Sequence, residues 1–118
     1  LQSLTGLISF MFTGLREAAA LGAGRVNVQG WGEALINPSL REVVRQSLEV
    51  YRTATADIVR RAQAAGQIDQ AVDPAALSNA LLSLYYGLEL QLALDPQLDV
   101  EQYAQAVRAL LHSVSQRP

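Results

Sequence analysis

Apolar side chains recur every three or four positions along nearly the whole chain, the spacing that aligns one face of an α-helix. Nowhere do β-branched and aromatic residues alternate with polar ones between turn clusters, so no strand is expected. Five helices are predicted instead. The first covers about 2–21, with Leu4, Ile8, Met11, Leu15 and Ala18 on one stripe and Leu7, Phe10 and Phe12 beside them. Gly6 and Gly14 weaken it, each by ~1 kcal/mol against alanine at an exposed helical site, and Gly22, Ala23 and Gly24 end it. A short second helix, about 26–36, carries Trp31, Ala34 and Leu35, and Gly30 and Gly32 make it dependent on tertiary support.

The third helix, about 38–65, has a clear start, because Asn37 is a good N-cap and Pro38 suits the first helical position. Its inner stripe is read at nearly heptad spacing through Leu40, Val44, Leu48, Tyr51, Thr55, Ile58, Ala62 and Ala65, with Gly66 as the stop. Arg41, Arg45, Glu49, Arg52, Arg60 and Gln63 are expected to face water. Asp73 and Pro74 open the fourth helix, 74–94, which ends before Asp95 and Pro96. One stripe of it holds Leu77, Leu81, Leu84, Tyr85, Leu88 and Leu92, and a second, nearly opposite, holds Leu82, Tyr86, Leu90 and Ala93. Ala80, Ser83 and Gly87 form a small-residue edge between them. The fifth helix, 99–115, opens with Asp99 and Gln102 at capping-box spacing, carries Tyr103, Ala106, Val107, Leu110, Leu111 and Val114, and is expected to fray by Gln116.

The fold class expected is therefore all-α: a five-helix bundle forming one ligand-binding and dimerisation domain over 1–118. Five helices leave little room to cover the fourth on both faces. A homodimer follows, in which the last two helices of each chain build a four-helix bundle across a two-fold axis. The residues expected at that interface are Ser83, Gly87, Leu90, Leu94, Tyr103, Val107, Leu110, Leu111 and Val114.

Composition narrows the function. At 118 residues, half of them apolar and 17% charged, the chain has the length of one domain and can bury a core. Its nine arginines are scattered, there is no lysine, and the net charge is -2, so this chain lacks the clustered positive charge that displaces counterions from nucleic-acid phosphates. The absence of cysteine removes disulfides, zinc ribbons and thiol catalysis, and fits a reducing cytosol, so a cytoplasmic location is expected. The apolar start, Leu1 to Leu15, has neither a basic n-region nor a small-residue cleavage site. The stretch from Ala80 to Leu94 is broken by Glu89 and Gln91 and falls short of the ~20 residues that span a bilayer, so no membrane association is expected.

Catalytic chemistry is hard to assemble from this set of residues. His112 is the single histidine and lies in the last turn of the last helix, where an imidazole complements the helix dipole. No partner for acid/base catalysis, no metal-ligand cluster and no phosphate-binding glycine loop is recognisable, so neither an enzyme nor a cofactor is expected. Glu89 is the unusual charge, set among Tyr85, Tyr86, Leu90 and Leu92. Two readings stay open: a polar anchor in a ligand cavity, or a carboxylate satisfied by a neighbouring arginine or by water. The candidate ligand-binding residues are Phe10, Met11, Trp31, Tyr51, Arg52, Tyr85 and Glu89, forming an apolar pocket among the first four helices.

The run Trp31, Gly32, Glu33, Ala34, Leu35, Ile36, Asn37, Pro38, Ser39, Leu40, Arg41 resembles the C-terminal domain of TetR-family transcriptional regulators. There a short helix with Trp and Glu-Ala runs into an Asn/Asp-Pro-x-Leu-Arg start of a long helix. The similarity continues through Ala64, Ala65 and Gly66, Asp73 and Pro74, Tyr86, Gly87, Leu88 and Gln91, and Leu94, Asp95 and Pro96. The resemblance implies the effector-sensing and dimerisation part of a DNA-binding repressor, released from its operator by a small, largely apolar ligand. It implies too that operator DNA is held by an N-terminal helix-turn-helix absent from this chain, which opens on Leu1 rather than a methionine. The competing reading is a free-standing helical dimer that serves as a protein-interaction module.

Overall fold

A computed structural model describes residues 4–115, with side chains from Gly6 onward. It has five helices: α1 Leu4–Ala20, α2 Ala23–Ile36, α3 Pro38–Ala64, α4 Pro74–Leu94 and α5 Val100–Ser113. Gln2 and Ser3, placed by the pattern in the first helix, and Gln116, where the last was expected to fray, lie outside the described residues. The isolated antiparallel bridge between Ile68 and Ser115 is the only extended pairing among the described residues.

The helix starts are local chemistry. The side chains of Asn37 and Asp73 accept hydrogen bonds from the backbone N–H groups of Leu40 and Ala76, each followed by a proline that has no N–H to satisfy. Asp99 accepts from Glu101 and Gln102 in the same way. The corner between α2 and α3 is closed from both sides: Asn37 caps α3, while the Arg41 guanidinium donates to the carbonyls of Ala34 and Leu35 at the end of α2. That pairing gives the Asn-Pro-x-Leu-Arg run a structural reason.

The largest departure from an expected start is in the second helix, while α5 spans Val100–Ser113 against the expected 99–115. α2 begins at Ala23, three residues early, because Gly22 turns the chain in the left-handed region at φ 74 and the next helix starts directly behind it. Gly24, Gly30 and Gly32 therefore all lie inside α2, and its only buried residue is Ala34.

α4 is the central element, packed against α1, α2 and α3. Its residues divide into three stripes. Leu81, Leu88 and Leu92 sit in the main core with Leu7, Ile8, Phe12, Leu15, Ile58 and Val59. Leu82 and Glu89 are buried on a second stripe, and Ser83, Leu90 and Leu94 are exposed on a third. Ser78, fully buried, donates its hydroxyl to the Arg52 carbonyl and holds α4 close to α3.

α5 leans on α1. Tyr103 meets Phe12 edge-on at 5.9 Å and donates its hydroxyl to the Leu84 carbonyl at 2.9 Å, and Ala104 and Val107 are buried beside it. The end of α5 is tied to the loop between α3 and α4, where Asp69 N–H donates to the Val114 carbonyl.

Gln63 corrects the reading of α3. Expected to face water, it is buried, and its amide donates to the carbonyls of Asp69 at 3.1 Å and Val72 at 2.7 Å. The physical reason is that this loop turns back over the last turn of α3 and needs donors for its carbonyls. Replacing Gln63 with leucine is expected to lower stability by about 1 kcal/mol, measured by urea unfolding, with the loss confined to the loop and the end of α5 in hydrogen exchange.

Candidate functional site

Where the turn between α1 and α2 meets the end of α4, the surface opens into a cleft of about 210 Å³. Leu15, Ala18, Ala19 and Ala20 supply one wall from α1, Leu92 and Ala93 the other from α4, with Pro96 beyond the end of α4. Gly22, Gly24 and Arg25 form the rim, and Glu89 lies within. Small residues make the opening. A Cβ added at Gly24 would sit 3.5 Å from the Glu89 Cγ, in ordinary contact, which places the α2 backbone beside the Glu89 side chain.

Glu89 is only 3% exposed, and its Oε1 has no hydrogen-bond partner among the described residues. Asn27 is the polar side chain that favours the charged form of this carboxylate, and no cation lies within ion-pair distance of it among the described residues. Arg25 shares the cleft without forming that pair. Burial pushes the Glu89 carboxyl above its ordinary range, and Asn27 offsets the effect in part. Of the alternatives for this residue, an ion pair with a neighbouring arginine is not formed among the described residues, which leaves a polar anchor in a cavity and a carboxylate satisfied by water.

Near Glu89, and acted on by its charge, stand the rings of a short aromatic ladder. Trp31 meets Tyr86 edge-on at 5.2 Å, and Tyr86 meets Tyr85 at 5.4 Å. Burial, with repulsion from neighbouring Tyr51, Tyr85 and Glu89, pushes the Tyr86 hydroxyl up to about 12, against a smaller lowering by Arg52. Tyr85 is raised by the same kind of causes, burial first and then Glu89 and Tyr51. Both phenols keep their protons at neutral pH and are available as donors.

The expected ligand residues are thus brought together only in part. Trp31, Tyr85 and Glu89 gather along α2 and α4, with Tyr51 and Arg52 acting on the tyrosines from α3. Tyr51 itself is 54% exposed, because the inner stripe of α3 passes through Arg52 and Thr55 rather than through Tyr51. Arg52 pairs with Glu49 at 3.7 Å and does not reach the Glu89 carboxylate. Phe10 is 62% exposed, turned outward by the burial of Ile8 and Phe12 two residues to either side, and Met11 packs against the main core. None of the aromatic residues lines the cleft.

The expected interface set divides as well. Val107 is buried inside the protomer, and Tyr103, Leu111 and Val114 pack against its core, so these four have their main contacts at home. Leu90, Leu94, Leu110 and Ser83 are exposed, and a Cβ added at Gly87 would meet open space. Asn27, Gly24 and Arg25 were missed by the sequence reading. Their one signal was the glycine-rich turn, which was read as a helix end.

Residues 2–116 match the family described as BetI-type transcriptional repressor, C-terminal. The chain belongs to this family. No curated protein and no solved structure matches it. A BetI-type C-terminal domain is the regulatory, ligand-sensing and dimerising part of a transcriptional repressor, and its all-α architecture agrees with the five helices described above. Among the described residues no helix is long and apolar enough to cross a membrane, and no group of His, Cys, Asp or Glu could hold a metal ion.

A larger hollow of about 660 Å³ runs along the outer side of α3 between Arg45 and Asp57. It is bounded by that one helix and has no opposing wall. The Glu89 cleft has walls from two helices and a buried polar group, and is the better candidate on physical grounds.

Proposed function

We propose that the domain senses a small, largely apolar effector in the Glu89 cleft and passes the binding event to a dimer seam on the same helix. The observation that carries this reading is the register of α4. Glu89 belongs to the stripe facing the cleft, while Ser83, Gly87, Leu90 and Leu94, spaced by four, three and four residues, form the stripe next to it, exposed except at half-buried Gly87. A second copy of the chain lies against that stripe, with Leu110 of α5 completing the seam and Gly87 allowing close backbone approach. A ligand that shifts α4 by a fraction of a turn changes both sites at once.

Operator DNA is contacted through a separate helix-turn-helix segment of the repressor. The effector acts by preferring the dimer conformer whose DNA heads no longer match half-sites about one helical turn apart, and only its differential affinity for the two conformers counts. Couplings of this kind amount to ~1 to 3 kcal/mol.

Two measurements test the reading. In sedimentation equilibrium the chain should be a dimer at micromolar concentration, and Leu110→Arg should shift it to monomer by burying an unpaired charge at the seam; a monomeric wild type overturns the seam. Effector binding should change the emission of Trp31, whose ring contacts Tyr86 three residues from Glu89. Unchanged emission across a broad set of apolar compounds counts against the sensor.

A further inference from the structure

The cleft combines three features that together specify the chemistry of its occupant. Its walls are aliphatic and short, from Leu15, Ala18, Leu92 and Ala93. Its one deeply buried polar group is a carboxylate with an oxygen lacking a donor. And no aromatic ring is among the residues that line it. A buried acceptor without a partner is costly, and a charge-assisted N–H bond relieves that cost more than any neutral contact does. A quaternary ammonium carries no N–H and is held instead by aromatic faces, which this cleft does not offer.

We propose that the Glu89 cleft binds a short aliphatic amine, primary or secondary, whose protonated nitrogen donates an N–H to the Glu89 carboxylate. The inference rests on the sensor reading above and adds the class of effector. At about 210 Å³ the cleft falls below the ~300 Å³ at which drug-sized pockets begin, so the occupant has a handful of heavy atoms. The terminal torsion of a glutamate is broad, so the carboxylate can turn Oε1 toward the ligand. Arg25, the other charged residue of the cleft, sits exposed at the rim and stays in water, where its repulsion of an ammonium is screened. Raising the Glu89 carboxyl above its ordinary range by burial is consistent with a site whose charge awaits a counter-charge from the ligand.

The test is an amide NMR titration of the chain at neutral pH with n-butylamine, butyltrimethylammonium chloride and 1-butanol, for wild type, Glu89→Gln and Gly24→Leu. Butylamine should shift the amides around Gly24 and Glu89 and bind at least about tenfold more tightly than either analogue. Glu89→Gln should abolish that preference, and Gly24→Leu, which fills the rim without removing the carboxylate, should weaken butylamine binding. Equal or tighter binding of the trimethyl compound or the alcohol overturns the inference, even if Glu89→Gln fails to fold, because the wild-type comparison decides it. If butanol binds and butylamine does not, the sensor reading survives and the amine falls. If neither these three nor a wider apolar set perturbs the cleft or Trp31, both fail together.

Discussion

Replacing Leu88 with alanine should destabilise the domain by about 2 to 5 kcal/mol. Leu88 is fully buried, on the α4 stripe that meets the core residues of α1 and α3. Removing its branched end takes away burial from water and leaves a cavity that the packed helices close only in part. Against the 5 to 15 kcal/mol that typically separates folded from unfolded domains, such a loss is large. Urea unfolding at fixed protein concentration measures it, since dimerisation makes the apparent stability depend on concentration. A change below about 1 kcal/mol would show that α4 is not the centre of the core.

The next residue should respond with the opposite sign. Glu89→Met is expected to raise stability at pH 7 by about 1 to 3 kcal/mol, because an apolar side chain of similar length fills the same space without a buried charge and an unpartnered oxygen. The melting temperature should rise by about 4 °C for each kcal/mol. Asn27 is exposed and keeps access to water in the variant.

The effect depends on pH in a definite direction. Glu89 has a folded value above its ordinary 4.5, so between the two values the folded chain holds a proton that the unfolded chain has lost. The contribution of the native glutamate is therefore most favourable below the ordinary value and is lost as pH rises through the folded one. The advantage of methionine should accordingly grow as pH rises from the ordinary value through the folded one, and shrink as the solution is acidified back through that window. Tyr85 and Tyr86 titrate far above it and do not interfere. A pH-independent difference between the two proteins would contradict the burial of this charge.

Glu89 also shows how far the candidate site could be read from the chain. A single charge within an oily helix stands out in one dimension, and the structure buries it. Its surroundings could not be read that way. Asn27 and Gly24 are more than sixty positions away along the chain, and nothing in local spacing says that the turn after α1 folds onto the end of α4. Phe10 and Tyr51 were misplaced for a related reason. Bulk suggested a pocket wall, but neighbouring positions two apart on a helix point to opposite sides, and burial of Ile8 and Phe12 commits Phe10 to the surface. Val107 and Tyr103 follow the same logic one level up: an amphipathic helix serves its own core before it can serve a partner.

What the chain determined by itself is the set of elements that depend on neighbours along it: five helices, the caps at Asn37, Asp73 and Asp99, and the corner built around Pro38 and Arg41. These are interactions over at most a few turns, and their energies are decided by residue type and spacing. The tertiary structure alone decided which stripe of α4 is core, which faces the cleft and which remains outside, and that Gln63 turns inward to hold a loop. Those outcomes follow from helices competing for the same apolar surface, and that competition takes place only once they pack together.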